Sequence, residues 1–490
     1  MAELYISRRD LQEANAMLDD ARNHMAGEDN PVQLRSYAVA RGELELALQH
    51  PQAAESTLRA VILRQENEAA GAGAQNTVFA REDRDLYATL AGVWLQEGRP
   101  GLEILALWER YRLRILGLPV KACSGGHLDC LKTQLASIFD RWRQSKARET
   151  LVGQIVLRDR VLLYQFDGQR LTWSQQPIHR EELLADAASL ERVASSPATS
   201  QISVDAAARR VGDILFAASQ VSLSPDRTLA IESDPLLGNL PWAAVETAEG
   251  SIGLRLNLEE SPSLLLDRDD AKKDGRTLTA TRPLIVGASM TADGSPLLPE
   301  ALEEARRVAG ESPNPNLLVG NEATEAHVAA LMRSASILHF AGHAAQFDGA
   351  TRLLLAPSGW AADKPYLDSA LFLKNPPRAA RLVVFSACSS GKMEEGWDHG
   401  MGDIVDTLAS LGVPEVVATR WQIDSASAVP LMDVFYRGLA NRLAVPQALT
   451  AARQSLARDV RYRHPYYWAA YYASGVGTTD LHDVFHGSSN

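Results

Sequence analysis

Two residues of this 490-residue chain have the type and setting for thiol chemistry, His343 and Cys388. Each comes directly after a short apolar run, Ser336 to Gly342 before the histidine and Leu382 to Ala387 before the cysteine. Buried parallel strands read as such runs, and they deliver the next residue to the carboxyl edge of a sheet. A thiol and a base carried by two adjacent strand ends form a nucleophilic pair that the fold, not the local sequence, must assemble. A cysteine after an apolar strand is more often inert core than nucleophile. The small polar turn Ser389-Ser390-Gly391 and the neighbouring Ala387 open a path from the thiol to a cleft. His339 shares the strand and its alternation, but it sits between Leu338 and Phe340 and reads as a packed structural histidine. His343 stands at the strand's end, where a near-neutral pKa suits it to take a thiol proton and return one to a leaving amine. No acid at a fixed spacing orients it, so the expectation is a dyad.

The elements that must position this pair alternate between strand and helix. Arg282 to Gly287 reads as a strand, Pro299 to Gly310 as a helix, and Ala323 to Arg333 as a helix opened by Thr324. Strands Ile337 to Gly342, Arg352 to Ala356, Leu382 to Ala387 and Val416 to Trp421 come next, with helices at Gly402 to Leu411, Ser425 to Leu443 and Pro446 to Val460. This rhythm predicts an α/β fold with a mainly parallel sheet flanked by helices and its ligands at the strands' carboxyl ends. A leading lobe begins near Leu151 with a meander turning at Arg158-Asp159 and Asp167-Gly168, then helices Arg180 to Val193 and Val204 to Ala217 and the strand Thr228 to Glu232. Lys272 to Gly275 reads as a hinge, giving lobes 149–275 and 276–490.

Residues 1–148 carry helical periodicity. Ser7 or Asp10 caps the first helix, and two helix-turn-helix segments, Tyr37 to Ile62 and Leu86 to Tyr111, turn at Leu48 to Pro51 and Leu95 to Gly98, with Glu66 to Asn76 read as a loop between them. A tetratricopeptide-like repeat and a plain helical bundle fit this pattern equally. Cys123, His127 and Cys130 are close together, but a structural zinc site needs four ligands, so a linker loop is the simpler reading and no metal is expected. Glu394, Glu395, Asp398 and His399 form an acidic insert, read as a solvated loop rather than an activation loop or calcium site.

His339-Phe340-Ala341-Gly342-His343 followed by Phe385-Ser386-Ala387-Cys388-Ser389-Ser390-Gly391 resembles the paired signature of the CHAT-domain proteases, caspase-like cysteine peptidases related to separase. The resemblance continues in Glu415 to Asp424, His464 to Ala470, Asn239 to Ala244 and Gly320 to Thr324, and spans roughly Leu151 to Gly475. It implies a caspase-like domain over 149–490, preceded by an α-helical tetratricopeptide-like region over 1–148 that recruits or restrains. It further implies Cys388 as nucleophile, His343 as base, and an oxyanion hole from the backbone amides of Cys388 and Ala344. Relatives carry glycine where this chain has Ala344, which resists positive φ. Asp424 matches the region where separase-like relatives place an acid for arginine or lysine, with Trp421 as a pocket wall; an N-cap for the helix starting near Ser425 explains Asp424 equally well. Asp403 and Asp406 are weaker alternatives. The implied activity is a cysteine endopeptidase cutting after a basic residue, without a cofactor, under a regulatory protein partner, as in relatives in bacterial defence. A catalytically silent scaffold is the alternative.

Composition is compatible with this. Hydrophobic content of 46% and charged content of 22% are those of an ordinary globular chain. A formal charge of −12 argues against direct nucleic-acid binding. The Arg110, Arg112, Arg114 and Arg141, Arg143, Arg148 clusters then read as solvated helix faces or an interdomain seam. No leader-like or membrane-length apolar run is present, and three cysteines are too few for a disulfide framework, so a cytoplasmic setting with free thiols is expected.

Overall fold

The computed structural model describes residues 2–25, 30–69, 80–118, 128–144, 149–216, 224, 226–266, 282–288, 298–347, 350–357, 366–387, 404–475, 481 and 484–485. The chain divides into two compact units, residues 1–140 with 155–162 and 171–180, and residues 141–154, 163–170 and 181–490.

The first unit is mainly helical, with strand residues at 155–156, 160–162 and 171–177 as well. Its helices are α1 (Ala2–Ser7), α2 (Leu11–His24), α3 (Pro31–Ala47), α4 (Pro51–Ala69), α5 (Arg84–Gln96), α6 (Gly101–Ile115) and most of α7 (Leu128–Gln144). Asp10 caps α2, accepting from the Glu13 N–H, and Asn30 caps α3 ahead of a proline at its first turn. The turn between α3 and α4 needs a left-handed residue and takes it at Gln49, while Gly98 supplies the same conformation between α5 and α6. Leu44, Leu58, Leu86, Trp94, Leu107 and Trp108 are buried within these hairpins.

Three expectations are corrected here. Glu66 to Ala69 continue α4 as helix, because Glu66 is held by Tyr87 and Arg110 instead of trailing into a loop. Arg110, Arg112 and Arg114 do not form a solvated face: Arg112 is buried, and Arg114 donates to Asp83 at 3.0 Å and to the Tyr87 hydroxyl at 2.9 Å. Their charge is spent on carboxylates inside the unit. Cys130 is disulfide-bonded, so not every thiol is free. Cys123 and His127 lie outside the described residues, as do Arg148 and the 272–275 hinge.

In chain order the strands are β1 (Glu149–Val156), β2 (Arg160–Phe166), β3 (Leu171–Pro177), β4 (Thr228–Glu232), β5 (Glu246–Thr247), β6 (Gly250–Ser251), β7 (Asn257–Glu260), β8 (Arg282–Gly287), β9 (Asn316–Val319), β10 (Ala335–Gly342), β11 (Ala344–Phe347), β12 (Ala350–Leu354), β13 (Tyr366–Leu367), β14 (Leu382–Ala387), β15 (Glu415–Thr419) and β16 (Tyr471–Gly475). Across the larger unit the main sheet runs β1-β4-β7-β16-β15-β14-β10-β8-β9. Its strands are parallel within two blocks, β1 to β16 and β15 to β9 in that order, which meet where β15 and β16 pair antiparallel. The mainly parallel α/β expectation therefore holds.

The helices of this unit are α8 (Arg180–Ala194), α9 (Gln201–Phe216), α10 (Ile252–Arg255), α11 (Pro299–Glu311), α12 (Glu325–Met332), α13 (Ser369–Lys374), α14 (Ile404–Ser410), α15 (Ser425–Ala440) and α16 (Val445–Arg458). Every residue of β10 and β14 is buried, which is why their sequences are near-continuous apolar runs, broken by Ser336, His339 and Ser386, and not alternating ones. On one face Leu338, Phe340, Val383, Phe385 and Ala387 join one core with Val328 and Met332 of α12, Phe372 of α13 and Leu408 of α14. Helices α11 and α15 lie on the other, where they meet His339 and Ser386. Thr324 caps α12 as expected, its hydroxyl accepting from the His327 N–H. Among the described residues no helix is long and apolar enough to cross a membrane.

Candidate active site

The site is set by β10 and β14, which are neighbours, parallel and in unbroken register from Ile337↔Leu382 to Gly342↔Ala387. Gly342 and Ala387 are the residues immediately before His343 and Cys388. Adjacent strands lie about 4.8 Å apart. The chain thus leaves the two strands side by side at one edge of the sheet. Cys388 itself, with Ser389 to Gly391, the acidic insert and Asp403, lies outside the described residues. The carbonyl of Ala387 accepts from the Thr419 hydroxyl of β15, which holds the end of β14 where its ladder with β15 has run out.

Glycine is required before His343. A Cβ on Gly342 would stand 2.8 Å from the Ala288 carbonyl oxygen, because the end of β10 lies against the chain leaving β8. His343 itself is half-buried, and burial holds its imidazole below its ordinary pKa of about 6.5. A neutral ring ready to accept a proton is the result. In Cys388→Ala, which removes any thiolate, the ring is expected to titrate below 6.5 when followed by NMR; a value above 6.5 would reveal a charge that stabilises the imidazolium. The sign for stability is the same: an unfolded chain takes up the proton first, so this group costs the fold nothing above pH 6.5 and weakens it as pH falls toward the lower folded value.

Ala344 opens β11. The His343 carbonyl accepts from the Leu354 N–H at 2.9 Å, and Ala344 stands opposite Leu353. That combination makes Ala344 and Leu353 a non-hydrogen-bonded antiparallel pair, so the Ala344 N–H points away from β12 and toward the other side of its strand. The described non-glycine residues with positive φ are Arg9, Gln49, Asn314 and Arg442. Ala344 is not among them and carries no left-handed strain, which removes the objection to alanine at this place.

A family model for the CHAT domain matches residues 205–476, more than half of the chain. The chain belongs to the CHAT-domain family. Two solved structures of the Saccharomyces cerevisiae separase–securin complex are similar in fold, each at a TM-score of 0.50 with 11% and 9% sequence identity. Each match covers 87% of this chain but 37% and 38% of the separase chain, so the chain spans well under half of that relative's length. No curated protein matches.

In this CHAT-domain chain two of the remaining expected residues, Asp424 and Trp421, come after β15, and Asp406 comes before it. Asp424 is the N-cap of α15: its carboxylate accepts from the Ser427 N–H at 2.8 Å while its carbonyl accepts from the Ser427 hydroxyl. Trp421 is buried, with its indole N–H donating to the Tyr466 carbonyl at 3.0 Å. Asp406 is on α14.

His339 is fully buried, as its place in the strand suggested. Its Nε2 is 3.0 Å from Glu304 Oε1, and its Nδ1 is 3.0 Å from the Tyr436 hydroxyl. Sequence reading missed the residues around it. Glu304 of α11 also accepts from the Ser386 hydroxyl at 3.0 Å, and Ser386 shares a further 3.0 Å bond with the Tyr471 hydroxyl. The Tyr471 carbonyl in turn accepts from Arg453. Arg420, at the end of β15, pairs with Glu260, donates to the Gly238 carbonyl, and lies over the Tyr472 ring at 4.2 Å from its centroid. Little in the sequence points to these partners: Glu304 stands among other charges on its helix, and Arg420 directly follows an apolar strand.

Proposed function

We propose that this protein is a cysteine endopeptidase that works through a Cys388/His343 dyad. One observation carries the reading: the register of β10 with β14 brings the residues directly preceding the histidine and the cysteine into a Cα pair. In the proposed reaction His343 takes the Cys388 thiol proton, and the sulfur attacks the peptide carbonyl carbon. The amides of Cys388 and Ala344 stabilise the resulting oxyanion. The imidazolium then protonates the amine as the C–N bond breaks, leaving a thioester. Water, deprotonated by His343, attacks that thioester; the C–S bond breaks and the thiol recovers its proton. No cofactor enters.

Cleavage after arginine or lysine is the proposed preference, with Asp424 supplying the carboxylate and Trp421 a wall. The cap at Asp424 uses one lone pair of one oxygen and leaves acceptor capacity for a guanidinium. The helical region, read as a tetratricopeptide-like array, is proposed to bind a regulatory protein. Separase, seen in its complex with securin, is a fold relative captured with a protein partner. A cytoplasmic setting and a role in bacterial defence complete the proposal.

The test is an unbiased cleavage-site survey of the wild type beside Cys388→Ala. Cuts after basic residues that vanish in the variant support the reading, and identical patterns end it. Asp424→Asn separates the two roles of that residue, since asparagine caps a helix as well as aspartate but carries no charge. Its expected result is an unfolding midpoint within error of wild type with basic-residue preference reduced about tenfold or more, in line with a charge-assisted hydrogen bond of ~1.5–3 kcal/mol. An unchanged preference would confine Asp424 to capping.

A further inference from the structure

Directly behind the proposed dyad, one buried carboxylate joins the two strands that lead to it. Glu304 enters from α11 and is buried. One of its oxygens is 3.0 Å from the His339 ring on β10, and the other accepts from Ser386 on β14 at 3.0 Å. His339 pairs in register with Val384, so His339 and Ser386 are diagonal neighbours on one face of adjacent strands. His343 lies four residues beyond the first and Cys388 two beyond the second. Tyr436 of α15 bonds the far side of the His339 ring and packs edge-on against it at 5.4 Å, and Tyr471 of β16 bonds Ser386. A carboxylate accepting from both strands assigns the His339 proton to Nε2 and turns the Tyr436 hydroxyl toward Nδ1, which satisfies every group in the chain.

We propose that Glu304 is a positioning residue for the reaction: by tying His339 to Ser386 it fixes the separation at which β10 and β14 present His343 and the chain to Cys388. The inference rests on the dyad reading given above. Backbone pairing alone sets register but leaves the strands free to shear and twist by fractions of an ångström. Misplacement of reacting groups by about 1 Å costs on the order of a hundredfold in rate. Glu304 acts through its hydrogen-bond partners His339 and Ser386; burial lowers the pKa of the His343 ring.

The test uses the full chain and reads Cys388 itself. Alkylation of Cys388 by iodoacetamide, followed by mass spectrometry of its peptide across the pH range, reports how well the thiol is paired with its base, and thermal unfolding reports the fold. Glu304→Ala removes the acceptor that His339 and Ser386 share and is expected to slow alkylation at neutral pH by about ten- to a hundredfold and to move its pH midpoint toward that of a free thiol. Glu304→Gln is expected to recover most of the loss, because the side-chain amide can accept from His339 and donate to Ser386 while Ser386 turns its proton to Tyr471. Ser386→Ala removes one arm, keeps the fold if Glu304→Ala does not, and is expected to give an intermediate loss. An alkylation profile in Glu304→Ala and Ser386→Ala that matches wild type, with only the melting temperature lowered, would overturn the inference and leave the protease standing. So would a Glu304→Gln variant as impaired as Glu304→Ala. A wild-type Cys388 no more reactive than free cysteine would bring down the dyad reading, and this inference with it.

Discussion

Cys388→Ala is expected to lower cleavage of basic-residue peptides on the order of 10⁴-fold or more, to a rate indistinguishable from buffer. The size reflects the chemistry lost: no other group can form the thioester, and removing the nucleophile of a covalent hydrolase costs about as much as removing its whole catalytic set. His343→Ala is expected to fall to the same floor, and the double variant no further, because the two act as one unit. A fluorogenic peptide ending in arginine, assayed at saturating and at low concentration, checks this directly. In the single variants KM is expected to stay within a few-fold of wild type, since neither side chain is needed to hold the substrate. Residual activity within tenfold of wild type in Cys388→Ala would transfer the chemistry to another residue and end the thiol mechanism. The same experiment decides against the scaffold alternative, because a silent member of the CHAT family shows no difference between wild type and variant.

Arg420→Ala is expected to destabilise the larger unit by about 3–5 kcal/mol, the cost of leaving one member of a buried ion pair alone. Arg420 is 2% exposed, and its partner Glu260 sits where burial raises the carboxyl pKa even with the guanidinium beside it. The same guanidinium holds the Gly238 carbonyl and stacks on Tyr472, so its loss loosens the segment running to Trp242 and the strand β16 together. Guanidinium unfolding followed by tryptophan fluorescence measures the shift in midpoint. Pairing Arg420→Met with Glu260→Leu is expected to regain a large part of the loss, because the double change removes the stranded charge. If Arg420→Ala alone shifts the midpoint no more than a surface arginine does, the pair contributes little and the account of β15's anchoring fails.

The elements that read most clearly in the sequence are those with both faces buried. β4, β8 and β14 have the limits their apolar runs suggested, since nothing polar interrupts Leu382 to Phe385 or Leu284 to Val286. Two kinds of element were illegible. β7 reads Asn-Leu-Glu-Glu and looks like a solvated loop, yet Asn257 and Glu259 are buried because the sheet continues on both sides of them. β16 is a short stretch of tyrosines and small residues after a 3₁₀ turn, with no alternation to betray it. Glu304 was hidden for a related reason. Among Glu300, Glu303, Glu304, Arg306 and Arg307 it looks like one more charge on a wet helix face, and only the position of α11 over His339 and Ser386 singles it out. Of the proposed site, His343 and Ala344 could be placed from strand pattern and motif. The direction of the Ala344 amide could not, because it depends on which residue of β12 stands opposite.

The antiparallel seam between β15 and β16 has a bearing on biosynthesis. Tyr471 to Gly475 fills the gap between β7 and β15, so a ribosome must have made nearly the whole of both strand blocks before the wedge that welds them is available. Until then a nascent chain carries two raw edges, open to wrong partners and unable to brace the end of β15 or the Ser386 hydroxyl. The strand ends that carry the proposed dyad are thus braced only after Tyr471 has been made.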